Sequence, residues 1–204
     1  MTFLQLQTEC YDRLGAPTPD SATTALVKRM VNSAINEFCT FKNWDWMETS
    51  ASLSISNATR GYTLASTVGK VVGIHDSNGA PLTEVSRDTY YDMYRGDATT
   101  GSPTHYCVDG ADDTNTYVTI QVWPVPTGSA TLTVRNRRRL TDLSSDGDIP
   151  KIPPQYHWVL VDLAVARIRE FENDQAWVPL MQQAKAAMGQ VAALEFGQRV
   201  SNEI

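Results

Sequence analysis

The hydrophobic period of this chain changes twice, and that double switch limits the folds open to it more than any other feature. Across residues 21–41 apolar side chains recur at helical spacing. Leu26, Met30, Ala34 and Phe38 form one row, and Val27, Val31 and Ile35 form a second beside it. Two adjacent rows make a stripe wide enough for more than one packing neighbour. From Ala51 the period drops to two: Ser52, Ser54 and Ser56 alternate with Leu53 and Ile55, the pattern of a half-buried strand. Alternation continues from Tyr117 to Trp123 and from Thr131 to Arg137. In the latter, Leu132 and Val134 face inward, and Thr131, Thr133, Arg135 and Arg137 outward. From Gln155 the helical spacing returns. Tyr156, Val159, Leu160, Leu163, Ala166, Ile168 and Phe171 give one buried helix. Trp177, Leu180, Met181, Ala184, Met188 and Val191 give another, close to a heptad seam.

Punctuating residues set the element ends. Thr2 caps a short helix carrying Phe3, Leu4, Leu6, Cys10 and Leu14, and Gly15 stands at its C-terminal cap position. Ser21 is expected to cap the second helix, and Ser86 a short helical turn with Tyr90, Tyr91 and Tyr94. Asp76-Ser-Asn-Gly79 reads as a hairpin turn, because Asn-Gly accepts positive φ at little cost. Both helical ends have apolar faces too wide for lone surface helices, so they are expected to pack on each other. The predicted class is α+β: a helical bundle formed by the N- and C-terminal helices, with an inserted antiparallel β-sandwich or barrel-like module of six to eight strands. The expected divisions are N-terminal helices over 1–48 and a β module over 49–140 with a short helix near 86–95. A connection, the C-terminal helices and a polar tail fill 141–204.

With 204 residues, 42% of them hydrophobic, the chain is long enough to bury a core without staples. Cys10, Cys39 and Cys107 are odd in number, scattered and without a CxxC pair, so neither a disulfide framework nor a zinc site is expected, and a reducing cytoplasm is the natural setting. The first residues lack a basic and apolar leader pattern, and no apolar run reaches the ~18 residues of a membrane span. A net charge of −6 argues against bulk attraction to nucleic acid or anionic lipid.

Catalytic spacing is missing. His75, His105 and His157 form no HxxxH or HExxH pair, and GxSxG, GxGxxG and GxxxxGK[ST] are absent. His105 and Cys107 share a strand face, but a zinc ion needs two further ligands. Asp109, Asp112 and Asp113 around Gly110 do not have EF-hand spacing and read as a solvated hairpin loop, as do Asp142, Asp146 and Asp148. No cofactor, metal or catalytic residue is predicted.

Two clusters stand out instead. Arg135, Arg137, Arg138 and Arg139 lie within one short stretch, and alternation puts Arg135, Arg137 and Arg139 on one face. Such a row can bind phosphate or carboxylate through bidentate hydrogen bonds, or it can be an exposed strand end balanced by the acidic loop after it. Trp44, Trp46, Tyr90, Tyr91 and Tyr94 can stack on sugar faces, or pack where helix meets β module.

The order of motifs carries further information. Asn36-Glu-Phe and Asn43-Trp-Asp-Trp46 precede Gly61-Tyr-Thr-Leu64, the Asn78-Gly-Ala-Pro-Leu82 hairpin and Tyr90-Tyr-Asp-Met-Tyr94. Gly101-Ser-Pro-Thr-His-Tyr106 and Val118-Thr-Ile-Gln-Val-Trp-Pro-Val-Pro126 follow, and Ile152-Pro-Pro-Gln-Tyr-His157 opens a helix that ends near Glu172-Asn-Asp174. From about Leu4 to Met188 this series resembles the head-to-tail adaptor (connector) proteins of tailed, especially short-tailed, bacteriophages. One departure is Ala65-Ser-Thr-Val68, where the family has a Leu-Pro-x-Asp-like step. The resemblance implies a structural, non-enzymatic virion protein at the head–tail junction, assembled in the host cytoplasm. It implies a ring, usually dodecameric, beneath the portal protein. Such a ring extends the channel for double-stranded DNA without reading its sequence, and it docks tail or nozzle proteins. In that setting Arg135, Arg137, Arg138 and Arg139 are candidate partner- or DNA-facing residues. Gln198, Arg199, Val200 and Ile204 belong to a tail too polar to fold alone, expected to order on the portal. The alternative reading is a glycan- or protein-binding tail component acting through the β module.

Overall fold

The structure, a computed structural model, describes residues 1–111 and 117–202, with side chains of the last helix described through Glu195. The chain opens with α1 (Phe3–Leu14) and α2 (Ser21–Phe41). The strands β1 (Glu48–Ile55), β2 (Gly61–Thr63), β3 (Val68–His75) and β4 (Thr83–Glu84) follow. A short helix α3 (Arg87–Thr89) runs into a π-helical turn over Tyr90–Tyr94. Next come β5 (Thr100–Gly101), β6 (His105–Ala111), β7 (Val118–Trp123), β8 (Val125–Pro126) and β9 (Ala130–Arg138). The chain closes with α4 (His157–Phe171) and α5 (Trp177–Asn202). The α+β class read from the two changes of period is the class observed. The chain divides into two compact units: a helical unit of residues 1–46 and 141–204, and a β unit of residues 47–140.

In the helical unit, local chemistry fixes the helix ends. Thr2 and Gln5 form a capping box, and Gly15 closes α1 at φ 71°. The cap of α2 is Asp20 rather than the expected Ser21: its Oδ1 accepts from the Thr23 amide at 2.7 Å. An ionised carboxylate at this site also meets the positive end of the helix dipole, and the Thr23 amide holds its pKa below the usual carboxylate range. α4 packs against α1, α2 and α5, so residues from His157 through Ile168 are buried on nearly every side of it. Arg167 ties it to Glu37 of α2 at 2.9 Å.

One expectation needs correction here: Phe171 was placed on the buried row of its helix and is 60% exposed; Leu4 of α1 is 49% exposed. Phe171 sits at the last turn of α4, and the Arg29 guanidinium lies 5.5 Å from its ring centre. The backbone of α5 is helical through Asn202. Gln and Arg are good helix formers, and the single Gly197 costs only ~1 kcal/mol. The polar connection of residues 141–153 has a defined task. Its Asp148 and Asp146 carbonyls accept from the Phe3 and Leu4 amides at 2.7 and 3.0 Å. These amides begin α1 and have no partner within the helix. Asn32 of α2 exchanges two hydrogen bonds with Leu143.

The β unit contains three sheets: β1-β9-β3, β2-β7-β6-β4 and the short pair β5-β8. The first is antiparallel throughout, but β4 pairs parallel to β6, and β5 parallel to β8. The module is therefore mixed rather than antiparallel, and it is not a closed barrel. Parallel neighbours need a long crossover. The α3 segment and the residues after it supply one between β4 and β6. Leu53, Ile55, Val71, Ile74, Leu132 and Val134 of the first sheet share one core with Tyr106, Val118, Ile120 and Val122 of the second. Gly79, at φ 83°, completes the hairpin turn, where the Asp76 amide donates to the Ala80 carbonyl at 2.8 Å.

Candidate functional site

The arginine row lies on β9, the central strand of its sheet. Leu132, Val134 and Asn136 point into the core, leaving Arg135 and Arg137 on the open face. Glu48 of β1 stands opposite Arg137, and Ser50 opposite Arg135; across the other edge Lys70 of β3 also stands opposite Arg137. Glu48 takes both guanidinium groups, Arg135 at 3.4 Å and Arg137 at 3.8 Å. Arg135 keeps 53% of its side chain exposed. The exposed Arg135–Glu48 pair contributes only ~0.2–1 kcal/mol, so it leaves Arg135 able to exchange partners. Alternation does not extend to Arg139, because β9 ends at Arg138; the Arg139 amide instead donates to the Thr67 carbonyl at 2.8 Å. The third cation beside Arg135 and Arg137 is Lys70. Neither Lys70 nor Glu48 was identifiable from the sequence, since only strand register brings them there. Within the acidic loop, Asp148 accepts from the Ser144 and Ser145 amides, and Asp146 meets Lys28 at 3.5 Å.

The predicted aromatics separate into two groups. Trp44 is fully buried in the helical unit, stacked on Phe38 with ring centres 4.8 Å apart, and its Nε1 donates to the Phe38 carbonyl. In the β unit Tyr90 is buried, and its hydroxyl donates to the Val122 carbonyl. Tyr91 lies between the Arg87 and Arg95 guanidiniums, with its hydroxyl on the Asp109 carboxylate at 3.0 Å. Tyr94 packs on Trp123 and His105. Trp44 and Tyr90 thus offer no free face to a sugar.

The groups considered for metal or catalysis have structural partners. Asp109 also accepts from Gln121 and meets Arg87 at 3.1 Å; Asp112 and Asp113 lie outside the described residues. Burial pushes the Cys107 thiol up to about 11, and the Cys10 and Cys39 thiols up to about 12. Nε2 of buried His157 contacts the Ile152 carbonyl at 2.8 Å, and burial lowers its pKa. Among the described residues no three His, Cys, Asp or Glu side chains are grouped to hold a metal ion, and no helix is long and apolar enough to cross a membrane.

Sequence reading missed the apolar surface of the helices. Large exposed apolar side chains among the described residues number eleven, and eight of them belong to the helical unit: Met1, Leu4, Phe41, Ile149, Trp158, Phe171, Val178 and Leu194. Phe171, Leu26, Ala22, Ala25 and Arg29 line an open groove between α2 and α4. A second cleft of about 280 Å³ has Val165 and Leu180 on its floor and the ion pairs Arg13–Asp162 and Arg169–Asp174 at its rim. The side chains of Gln198, Arg199 and Val200, and the whole of Ile204, lie outside the described residues.

No curated protein matches the chain. The model of the SU10 adaptor protein family matches residues 1–202, spanning both helical ends and the β unit between them. The chain therefore belongs to the SU10 adaptor protein family, structural bacteriophage proteins whose role is consistent with that of a head-to-tail adaptor.

Proposed function

We propose that the chain forms a ring, a dodecamer, beneath the portal protein of a tailed phage, where it extends the DNA channel and docks tail or nozzle proteins. The observation that carries this reading, beside the family, is the concentration of exposed apolar side chains on the helices. Apolar side chains left wet can be removed from water by a partner, which makes the helices the richer source of association energy. The helical unit accordingly makes the contacts between protomers and with the portal, and Gln198, Arg199, Val200 and Ile204 contact the portal. The β unit meets the tail. Arg135, Arg137, Arg138 and Arg139 face a partner protein or the phosphates of passing duplex DNA, contacts that position without reading sequence. Assembly takes place in the host cytoplasm, and the finished protein resides in the virion.

The test mixes the purified chain with portal rings and images the product by electron microscopy. A ring of this chain seated under the portal is expected. Portal rings that stay bare, while another virion protein occupies that position in particles, would sink the reading.

A further inference from the structure

The strand edges of the β unit are not treated alike. The β3 edge is blunted by two bulges, by Lys70, and by the His75–Pro81 bridge that folds the chain back on it. β2 has three residues, and β4, β5 and β8 have two each. β1 carries none of these devices. It pairs with β9 over all eight residues from Glu48 to Ile55 without a register shift, and it is the outer strand of its sheet. It contains no proline, lysine or arginine, and its one charge, Glu48, is engaged by Arg135 and Arg137 at one end. A long, regular, uncharged edge turns a row of backbone amides and carbonyls outward, and chains that leave such an edge bare risk pairing with any passing strand.

We infer that β1 is a strand-addition site, and that its occupant is an extended segment of a different virion protein, with alternating apolar residues and a carboxylate near one end. This inference rests on the adaptor reading above. Three observations fix the chemistry of the occupant. Ser50, Ser52 and Ser54 are exposed, while Leu53 and Ile55 are buried, so an added strand continues an apolar inner face and a small polar outer face. At the Glu48 end Arg135 stays 53% exposed beside its 3.4 Å pair with Glu48, so its guanidinium can take a second carboxylate. An acidic side chain opposite Ser50 therefore meets Arg135, which reaches across the small serine that pairs with it. A second copy fits poorly. Two β1 strands paired about a two-fold axis give a closed dimer that cannot propagate around a ring, and the bulged β3 of a neighbour cannot lie flat along β1.

Amide exchange of the unmodified full-length chain, free and in purified tailed particles, tests this. Amides of residues 48–55 that exchange quickly in the free chain are expected to slow by about tenfold or more in the particle. A chain present in the particle whose β1 amides exchange as before overturns the strand-addition site while leaving the adaptor reading intact. A chain absent from the particle overturns both. Ser52→Cys with a short thiol-reactive cross-linker identifies the occupant, since Cys10, Cys39 and Cys107 are buried. An adduct with another virion protein is expected; an adduct with a second copy of this chain, or none alongside unchanged exchange, overturns the assignment.

Discussion

The helical and β units solve burial in opposite ways. The β unit gathers residues of two sheets into one core and, among the described residues, leaves only Val72, Met93 and Tyr117 as large apolar side chains exposed. The helical unit buries α4 almost completely, yet presents Phe171, Leu194, Trp158 and five other large apolar side chains to solvent. One unit covers nearly all its apolar side chains with its own chain; the other has a covered centre and a rim of exposed ones. The difference teaches where association energy is available. Area already buried stabilises the fold, while apolar area still wet can be removed from water only by a partner, at ~25 cal/mol per Å².

The contrast can be broken at the two centres first. Leu163→Ala in α4 and Ile120→Ala in β7 remove fully buried side chains, and each is expected to cost about 2–5 kcal/mol by denaturant unfolding. Amide exchange should show each loss confined to the unit that carries the substitution; equal loss in both units from either variant would show that they unfold as one. The rim comes next. Phe171→Ser with Leu194→Ser is expected to shift monomer stability by less than about 1 kcal/mol. The same pair should weaken ring or portal association by ~2 kcal/mol, read by analytical ultracentrifugation and electron microscopy. Unchanged association would remove these residues from the interface. Arg135→Glu with Arg137→Glu is expected to impair particle completion, and Arg135→Glu alone to leave unfolding nearly unchanged, since its exposed pair with Glu48 contributes ~0.2–1 kcal/mol. Normal infectivity would retire the row.

The smallest effect concerns pH. His157 is buried, with its pKa lowered from the ordinary 6.5, so the unfolded chain binds a proton more readily than the folded one. Its contribution is present above pH ~6.5 and is lost as pH falls below that value. His157→Gln should flatten the decline of melting temperature between pH 7 and 5, and an unchanged slope would exclude His157 as its source.

Features set by neighbours in sequence were legible: the rows of α2, the caps at Thr2, Gly15 and Ser86, and the turn at Asn78-Gly79. The α+β class follows from the two changes of period. What escaped depends on pairing between distant residues. Alternation alone gave Arg135 and Arg137 a face, but Glu48 and Lys70 join them only through the register of β1 and β3. The parallel placement of β4 beside β6 likewise depends on the route of the crossover, which no residue within β4 encodes. Phe171 has the spacing of a core residue, and only the ends of neighbouring helices decide that it is uncovered. Ser21 and Asp20 are both good caps, and one residue of helix start decided between them.

The place of α4 in the chain has a consequence for synthesis. The faces of α1 and α2 close on α4, but α4 leaves the ribosome only after the entire β unit. At ~5–20 residues per second, the first two helices wait on the order of ten seconds for the helix that covers them. The β unit is contiguous and has its own core, so it can fold during that wait. The nascent chain therefore carries a folded middle and an incomplete amphipathic start, and in that interval the apolar stripe of α2 is the segment most open to a chaperone or to premature contact with another chain.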